Sequence, residues 1–392
     1  MLALVRVLRR LGAVGATVIA LPLALAAWEY LWTPVYDFPA PKAFAGAQWY
    51  NPYAALPGRW DKANFHAHTV AWGGLTNGHQ TAAQLDSAFV AMGFGTRGIS
   101  NYHEIDTTFR ADSAYLPSYE YGYSIRKSHR LAIGARSVNW LDFPLGQTRH
   151  HKQFIIDRLR PTTALIAVNH PRMRNGHTAE DFRWLGNYDF VEAMNPFGDS
   201  LDEWDSALSS GHAAWILGDD DTHDISKRHR LGDRWTMVGT SSTRADSVVV
   251  ALRAGRHYAV RGHLGVMDNR LRALDVHGDT ITVRLERVAR SIRFVGDSGR
   301  ERLAVANADT ATYVTTSGES YVRIEVRSDS TEFFLNPVLR WDGRALPQPH
   351  PVLNAGATWT VRCAIALAYL LLAGGAVALW RRRGKTSRAR PT

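Results

Sequence analysis

Ala164-Leu165-Ile166-Ala167-Val168-Asn169-His170-Pro171 is a short apolar run that stops on an amide, an imidazole and a proline. Five apolar residues with no turn signal among them fit a strand buried on both faces, and Pro171 prevents its continuation. The flanks repeat the theme. A helical pattern over Lys152–Leu159 precedes the run, and Thr178-Ala-Glu-Asp181 after it has the form of a helix N-cap. Farther out lie strand-like Phe190–Met194 and Ala213–Leu217 around a helix at Leu201–Leu208. Upstream, Asn64-Phe65-His66 ends a short strand, Ala82, Leu85, Phe89 and Met92 mark a helix face, and Thr96–Ser100 is a second strand. Leu131–Ala135 is another apolar run. Strands alternating with helices predict parallel pairing with crossover helices, an α/β unit over residues 58–262 closed as a barrel rather than left open.

After a helix at Ser247–Arg253 the texture changes. Leu274–Val276, Thr280–Leu285, Ser291–Val295, Tyr321–Val326 and Phe333–Leu339 alternate apolar and polar residues, and His277-Gly278-Asp279 reads as a hairpin turn. Residues 263–358 are therefore expected to form a small antiparallel β-sandwich. The chain has neither a Gly-rich dinucleotide fingerprint nor a P-loop.

The formal charge of +10 in 392 residues invites a nucleic-acid reading, but it sits at the ends. Arg6, Arg9 and Arg10 stand at one end; Arg381, Arg382, Arg383, Lys385, Arg388 and Arg390 stand at the other, so residues 11–380 carry only +1. No nucleic-acid partner is expected. Leu11–Trp32 and Cys363–Trp380 are apolar stretches that reach ~33 and ~27 Å as helices, against a hydrocarbon core of ~30 Å. Residues 1–32 thus read as a transmembrane anchor, 33–57 as a proline-containing spacer, 359–380 as a second transmembrane helix and 381–392 as a basic tail. The positive-inside bias puts both termini in the cytoplasm and the middle of the chain in the periplasm or on the outer face of an inner membrane. A cleavable signal peptide with Ala24-Leu25-Ala26 at its end is the competing reading, and it exports the same middle. The single cysteine, Cys363, excludes a disulfide framework and any CxxC site.

The sixteen histidines carry the chemical signal. His66 and His68 follow the first strand on one side of an extended segment, His170 follows the Leu165–Val168 strand, and Asp221 and His223 follow Ala213–Leu217. Glu120 and His129 flank the segment leading into Leu131–Ala135. One such placement is noise, but four strand ends that each deliver an imidazole or a carboxylate describe a site, because the loops of an α/β barrel converge there. Nitrogen and oxygen donors in this number suit a pair of divalent ions, with Zn, Mn and Fe all compatible.

The pieces Asn64-Phe-His-Ala-His-Thr69, Gly98-Ile-Ser-Asn-Tyr-His103, Glu120 with His129, Asn169-His-Pro171 and Gly218-Asp-Asp-Asp-Thr-His223 occur in the order of successive motifs of the PHP superfamily, which they resemble. The superfamily is named for polymerase and histidinol phosphatase members. Over about residues 60–225 the resemblance implies a distorted (β/α)7 TIM-like barrel, two or three divalent metals and phosphoesterase activity. It implies that His66, His68, Glu120 and Asp221 hold one metal, and that Glu120 bridges to a second completed by His129 and His170. His223 would then serve a third metal or the leaving group. Tyr102 stands where the family usually has a histidine, with His103 one residue later, and the loop after His68 lacks a histidine that some members supply. Two metals are expected, with His103 or His79 as candidates for a third.

Asp221, His223 and Arg172 are the candidate catalytic residues, Arg172 as a two-pronged phosphate donor or else a surface arginine. Glu192 reads as structural, and Arg149, His150, His151 and Lys152 as a solvated helix face. The expected function is a membrane-anchored phosphoesterase that uses a metal-bridging hydroxide on a phosphorylated small molecule or envelope substrate. Two alternatives stand beside it: hydrolysis of a carboxylic or carbamic ester or amide at the same metals, and an idle barrel that binds an anionic envelope ligand.

Overall fold

A computed structural model describes residues 2–56 and 58–388, so Pro57 of the spacer and Arg390 of the basic tail lie outside the described residues. After α1 (Leu2–Leu31) and β1 (Tyr36–Asp37) come β2 (Gln48–Tyr50), β3 (Trp60–Asn64), α2 (Ala82–Ala91), β4 (Phe94–Arg97), β5 (Ser118–Tyr121) and β6 (Arg130–Ala135). The chain continues through α3 (Arg149–Leu159), β7 (Thr163–Val168), α4 (Ala179–Phe182), β8 (Phe190–Met194), α5 (Leu201–Ser209) and β9 (Trp215–Gly218). Then follow β10 (Arg234–Gly239), α6 (Ala245–Arg253), β11 (His257–Arg261), β12 (Leu271–His277), β13 (Thr280–Gly296) and β14 (Arg300–Val314). The last elements are β15 (Tyr321–Arg327), β16 (Glu332–Leu335), β17 (Val338–Trp341), β18 (Val352–Leu353) and α7 (Ala355–Arg388).

Two compact units result. Residues 1–37 and 352–392 make one, in which β1 pairs antiparallel with β18. Within α7, Ala355–Ala378 is long and apolar enough to cross a membrane; the apolar part of α1, Thr17–Leu31, is shorter.

Residues 38–351 form the other unit, a mixed α/β fold. The buried runs Thr163–Val168, Phe190–Met194 and Trp215–Gly218 become β7, β8 and β9, paired parallel in that order. They are apolar on both faces because both faces are covered. β5 and β6 extend this five-stranded sheet antiparallel, although alternation alone suggested parallel pairing throughout. β3 and β4 pair parallel around α2, whose Leu85 and Phe89, four residues apart, face the core beneath a Thr81–Gln84 capping box.

β3 and β4 belong to an eleven-stranded sheet that runs through β10, β11, β16, β15, β13 and β12. The region after residue 262 therefore shares a sheet and a core with the α/β part: Leu85, Phe89 and Trp235 lie in one buried cluster with Ile281, Phe294 and Val326. Thr280–Leu285 and Ser291–Val295 are halves of one long β13, with a register shift between Arg284 and Ala289. Its partner β14 has no counterpart in the sequence reading, because RERLAVANADTATYV is mostly exposed and poor in β-formers. Phe333–Leu339 splits in two at Asn336-Pro337: Pro337 has no N–H to give a ladder, and Asn336 instead donates to Gly255 and His257 carbonyls.

The two sheets meet past their strand ends through two single-residue parallel bridges, Ala67 with Thr222 and Tyr102 with Glu120. The first sets the loop after β3 against the loop after β9, and the second sets the loop after β4 against β5.

Candidate metal centre

The bridges do the positioning. His68 N–H donates to the Thr222 carbonyl at 2.8 Å, which places His66 and His68 against Asp221, while Glu120 N–H reaches Ser100 and Asn101 carbonyls at 3.2 Å. His170 and Asp221 hold left-handed backbone angles, φ 26° and 46°. Such angles cost about 1–3 kcal/mol each in non-glycine residues, and they concentrate where a fold must aim a side chain.

All six side chains of the centre are buried. His66 Nε2 lies 3.3 Å from both Glu120 Oε2 and Asp221 Oδ1, and His68 Nε2 lies 3.2 Å from the same two oxygens. The other oxygen of Glu120 faces away from this group: Oε1 is 2.6 Å from His129 Nδ1 and 3.1 Å from His170 Nε2. Asp221 Oδ2 leans the same way, 4.0 Å from His170 Nε2. Two clusters able to hold metal ions thus share Glu120, the first with His66, His68 and Asp221, the second with His129 and His170.

Two observations test whether these residues fit cations. His66 Nε2, His68 Nε2, Glu120 Oε2 and Asp221 Oδ1 have no hydrogen-bond partner although buried, nor do His129 Nε2 and His170 Nδ1. Buried polar atoms are rarely left so. Moreover, four donors set tetrahedrally at ~2.0–2.1 Å from one centre stand ~3.3 Å apart, the separation found here. The residues fit.

Supporting contacts orient the ligands. Glu192 Oε1 meets His66 Nδ1 at 2.8 Å, leaving Nε2 free to face the cluster, and Glu192 Oε2 accepts the His170 backbone N–H at 2.8 Å. Asn169 Nδ2 donates to Glu120 Oε1 at 3.3 Å. The charges follow from this crowding. Burial alone would push the His66 imidazole down, but Asp221, Glu192 and Glu120 outweigh it and hold it well above its usual range. Burial alone would raise Glu120 and Asp221, yet His129 and His66 keep Glu120 low, and His66 and His68 keep Asp221 low. His129 is pushed down to about 4 chiefly by burial.

The remaining candidates fall outside the two clusters. His223 Nδ1 approaches the Asp221 carbonyl at 2.8 Å, its Nε2 has no partner, and its ring stacks on His68 at 4.2 Å. Burial, then His68, lowers it to about 4. His103 has both nitrogens engaged, Nδ1 with the Asn139 carbonyl at 3.0 Å and Nε2 as acceptor from Gly122 N–H at 2.9 Å. His79 is exposed, with its N–H on the His223 carbonyl. Arg172 is half exposed and pairs with Asp202 at 2.6 Å. His151 and Lys152, read as part of a solvated face, are buried in α3; Lys152 pairs with Asp181 at 2.6 Å.

Glu192, which the sequence left pointing either toward the site or to a backbone partner with the structural role favoured, does both: it meets His66 and accepts the His170 N–H. The available signal was a lone carboxylate in the wholly buried strand Phe190–Met194, since a buried charge requires a partner. Tyr102, read only as a departure from a pattern, lies with its ring 4.7 Å from His68 and 5.6 Å from His129.

No family model matches the chain, and no curated protein does. One solved structure similar to it is a two-domain protein from Bacteroides vulgatus containing a predicted PHP-like metal-dependent phosphoesterase. The likeness covers 75% of this chain and 100% of that one, at 14% identity and a TM-score of 0.40.

Proposed function

We propose that the chain is a metal-dependent hydrolase of phosphate esters, built as a distorted barrel, with two divalent ions held by His66, His68, Glu120 and Asp221 and by Glu120, His129 and His170. One observation carries the reading: the two oxygens of the buried Glu120 face two different sets of imidazoles, and each of the four imidazoles keeps one buried nitrogen without a partner. A carboxylate with one role in a structural network would not be divided in this way. Divalent cations in such a site supply Lewis-acid charge and make water acidic enough to serve as a nucleophile near neutral pH.

The protein's own groups do the rest. Glu192 fixes His66 and the backbone of His170, so the imidazoles enter already oriented. His223, whose Nδ1–H is held by the Asp221 carbonyl and whose neutral Nε2 has no partner, is placed beside the first cluster as a hydrogen-bond acceptor or general base. Burial of the ligands excludes water from all but the open face and strengthens each charge interaction. Ala355–Ala378, followed by clustered arginines, supports a membrane anchor with a cytoplasmic basic tail and residues 38–351 outside the cytoplasm.

The test is direct. The full-length protein is purified in detergent, its metals are counted by elemental analysis, and phosphomonoester, phosphodiester and carboxylic ester substrates are assayed. Two ions per chain and turnover of a phosphate ester, both lost in His66→Ala, are expected. A protein without metal, or one whose turnover survives that change, refutes the reading. Turnover of carboxylic esters alone would move it to the carbonyl chemistry named above. Proteolysis of residues 38–351 in right-side-out but not inverted vesicles is the expected topology.

A further inference from the structure

Resting on that reading, we propose that the anionic group of the substrate is gripped by two cations beside the metal centre, Lys127 and Arg230, rather than by Arg172. The starting point is an inventory of positive charge. The Arg172 guanidinium is committed to Asp202, and Arg234 and Arg261 both pair with Asp199. Among the described residues, Lys127 and Arg230 form no ion pair, and neither cationic head donates a side-chain hydrogen bond.

Each instead lies over an aromatic ring, and each ring touches a histidine of the site. Lys127 Nζ is 5.5 Å from the centre of the Tyr102 ring, which packs against His68 and His129. The Arg230 guanidinium is 4.9 Å from the Phe197 ring, which stands edge-on to His223 at 6.4 Å. His223 in turn stacks on His68. Attraction between a cation and a ring face fixes a side chain without neutralising it, so the charge stays available to a ligand.

Both residues are also held by the segments that carry the ligands. Lys127 adopts φ 58° two residues before His129; its N–H donates to Ser124 and its carbonyl accepts from His129, each at 2.9 Å. Gly176 packs so closely that a Cβ there would stand 2.5 Å from the Lys127 carbonyl oxygen. Arg230 belongs to the turn after Asp221 and His223, where its N–H donates to the Lys227 carbonyl at 2.9 Å. Two unpaired cations, each seated over a ring that touches a histidine of the site, match a phosphoryl group, whose several oxygens can each take a donor.

Binding of inorganic phosphate to the full-length protein, by equilibrium dialysis with and without added Zn²⁺ or Mn²⁺, tests the clamp independently of turnover. Metal content is measured on every sample. Lys127→Met and Arg230→Met should each weaken phosphate binding about tenfold with metal content unchanged, and the loss should grow at low ionic strength. Lys127→Arg and Arg230→Lys should recover most of it. Unchanged binding in both methionine variants, or a loss confined to Arg172→Met, overturns the clamp. If the protein takes up no metal, the hydrolase reading fails, and the same dialysis without metal still decides the clamp by whether the two variants weaken phosphate. A parallel arm with dihexanoyl phosphatidic acid separates sources: tighter binding than phosphate, lost in the same variants, points to a lipid headgroup, and equal binding to a soluble phosphate.

Discussion

Two buried polar clusters in the same unit are built on opposite principles. At the first, Arg323 grips Asp205 with Nε to Oδ1 at 2.8 Å and Nη2 to Oδ2 at 2.7 Å, Tyr321 donates to the same carboxylate at 2.9 Å, and Glu325 accepts from Arg323 and Arg293. Its carboxylates and guanidinium are saturated. At the second, Glu120 and Asp221 face five imidazoles, and six ligand-type atoms, on His66, His68, Glu120, Asp221, His129 and His170, find no hydrogen-bond partner. Asp205 and Arg323 are buried as the ligands of the second cluster are, so burial alone does not distinguish the two. Saturation does: a complete network holds a fold together, and an incomplete one has room for something else.

The largest effect should come from breaking the shared ligand. Glu120→Gln keeps the shape but removes the charge and turns one of the two oxygens that divide between the clusters into an amide donor. Both ions should be lost together, and turnover of a phosphate ester should fall by roughly a thousandfold or more. Metal-free stability should fall by less than the next variant costs, because the attraction to His66 and His129 is lost but the amide oxygen can still accept from one of them. Arg323→Met should do the reverse, costing about 3–5 kcal/mol by stranding Asp205 and Glu325 while leaving metal content intact. Elemental analysis beside thermal unfolding of the metal-free variants reads both. If Glu120→Gln destabilised the metal-free protein as Arg323→Met does, the distinction would collapse.

What could be read in the sequence follows the same division. His66 and His68, His170 and Asp221 were visible because they follow the ends of three strands, β3, β7 and β9, where local pattern and chemistry coincide. Glu192 was not, because its partners come from β3 and from the turn after β7, and only the folded sheets bring them within 2.8 Å. His103 looked like a candidate ligand, but its φ of 49° turns the ring toward Asn139 and Gly122. In the fold, β7, β8 and β9 were legible as buried apolar runs. The pairing of β11 with β16, which carries the sheet from the α/β part into the β-rich part, joins strands about seventy residues apart, and no periodicity encodes that. Nothing local in the sequence marks Lys127 and Arg230, since the rings they lie over, Tyr102 and Phe197, are distant in sequence.

A third test separates buried imidazoles that serve the fold from those that serve the site. His212 and His257 are buried, each with one nitrogen on a backbone carbonyl, and burial lowers both to about 3. Against ~6.5 in the unfolded chain, they are neutral in both states above that pH and add no pH dependence there. As pH falls from about 6.5 toward 3, the unfolded chain binds protons that the folded chain refuses. Stability should drop by up to about 1.4 kcal/mol per pH unit for each histidine. His257→Gln should flatten that acid limb in denaturant unfolding of the metal-free protein at stepped pH, and an unaltered slope would show that this histidine does not drive it.

The smallest effect expected, and the sharpest for the comparison, is at Glu192. It has the contacts of a structural residue, accepting from His66 and from the His170 backbone, yet it touches only groups that serve the clusters. Glu192→Gln retains a side chain of the same size that can still accept the His170 N–H, so the fold should hold. What changes is the support behind His66: a carboxylate that fixes its tautomer and raises its basicity becomes a neutral amide. Metal affinity should fall about 10–100-fold by competition with a chelator, with thermal unfolding of the metal-free protein shifted little. Full affinity in this variant would mean that the site is preorganised by packing alone. A collapse in metal-free stability would instead place Glu192 with Asp205 and Arg323, among the groups whose purpose is to be satisfied.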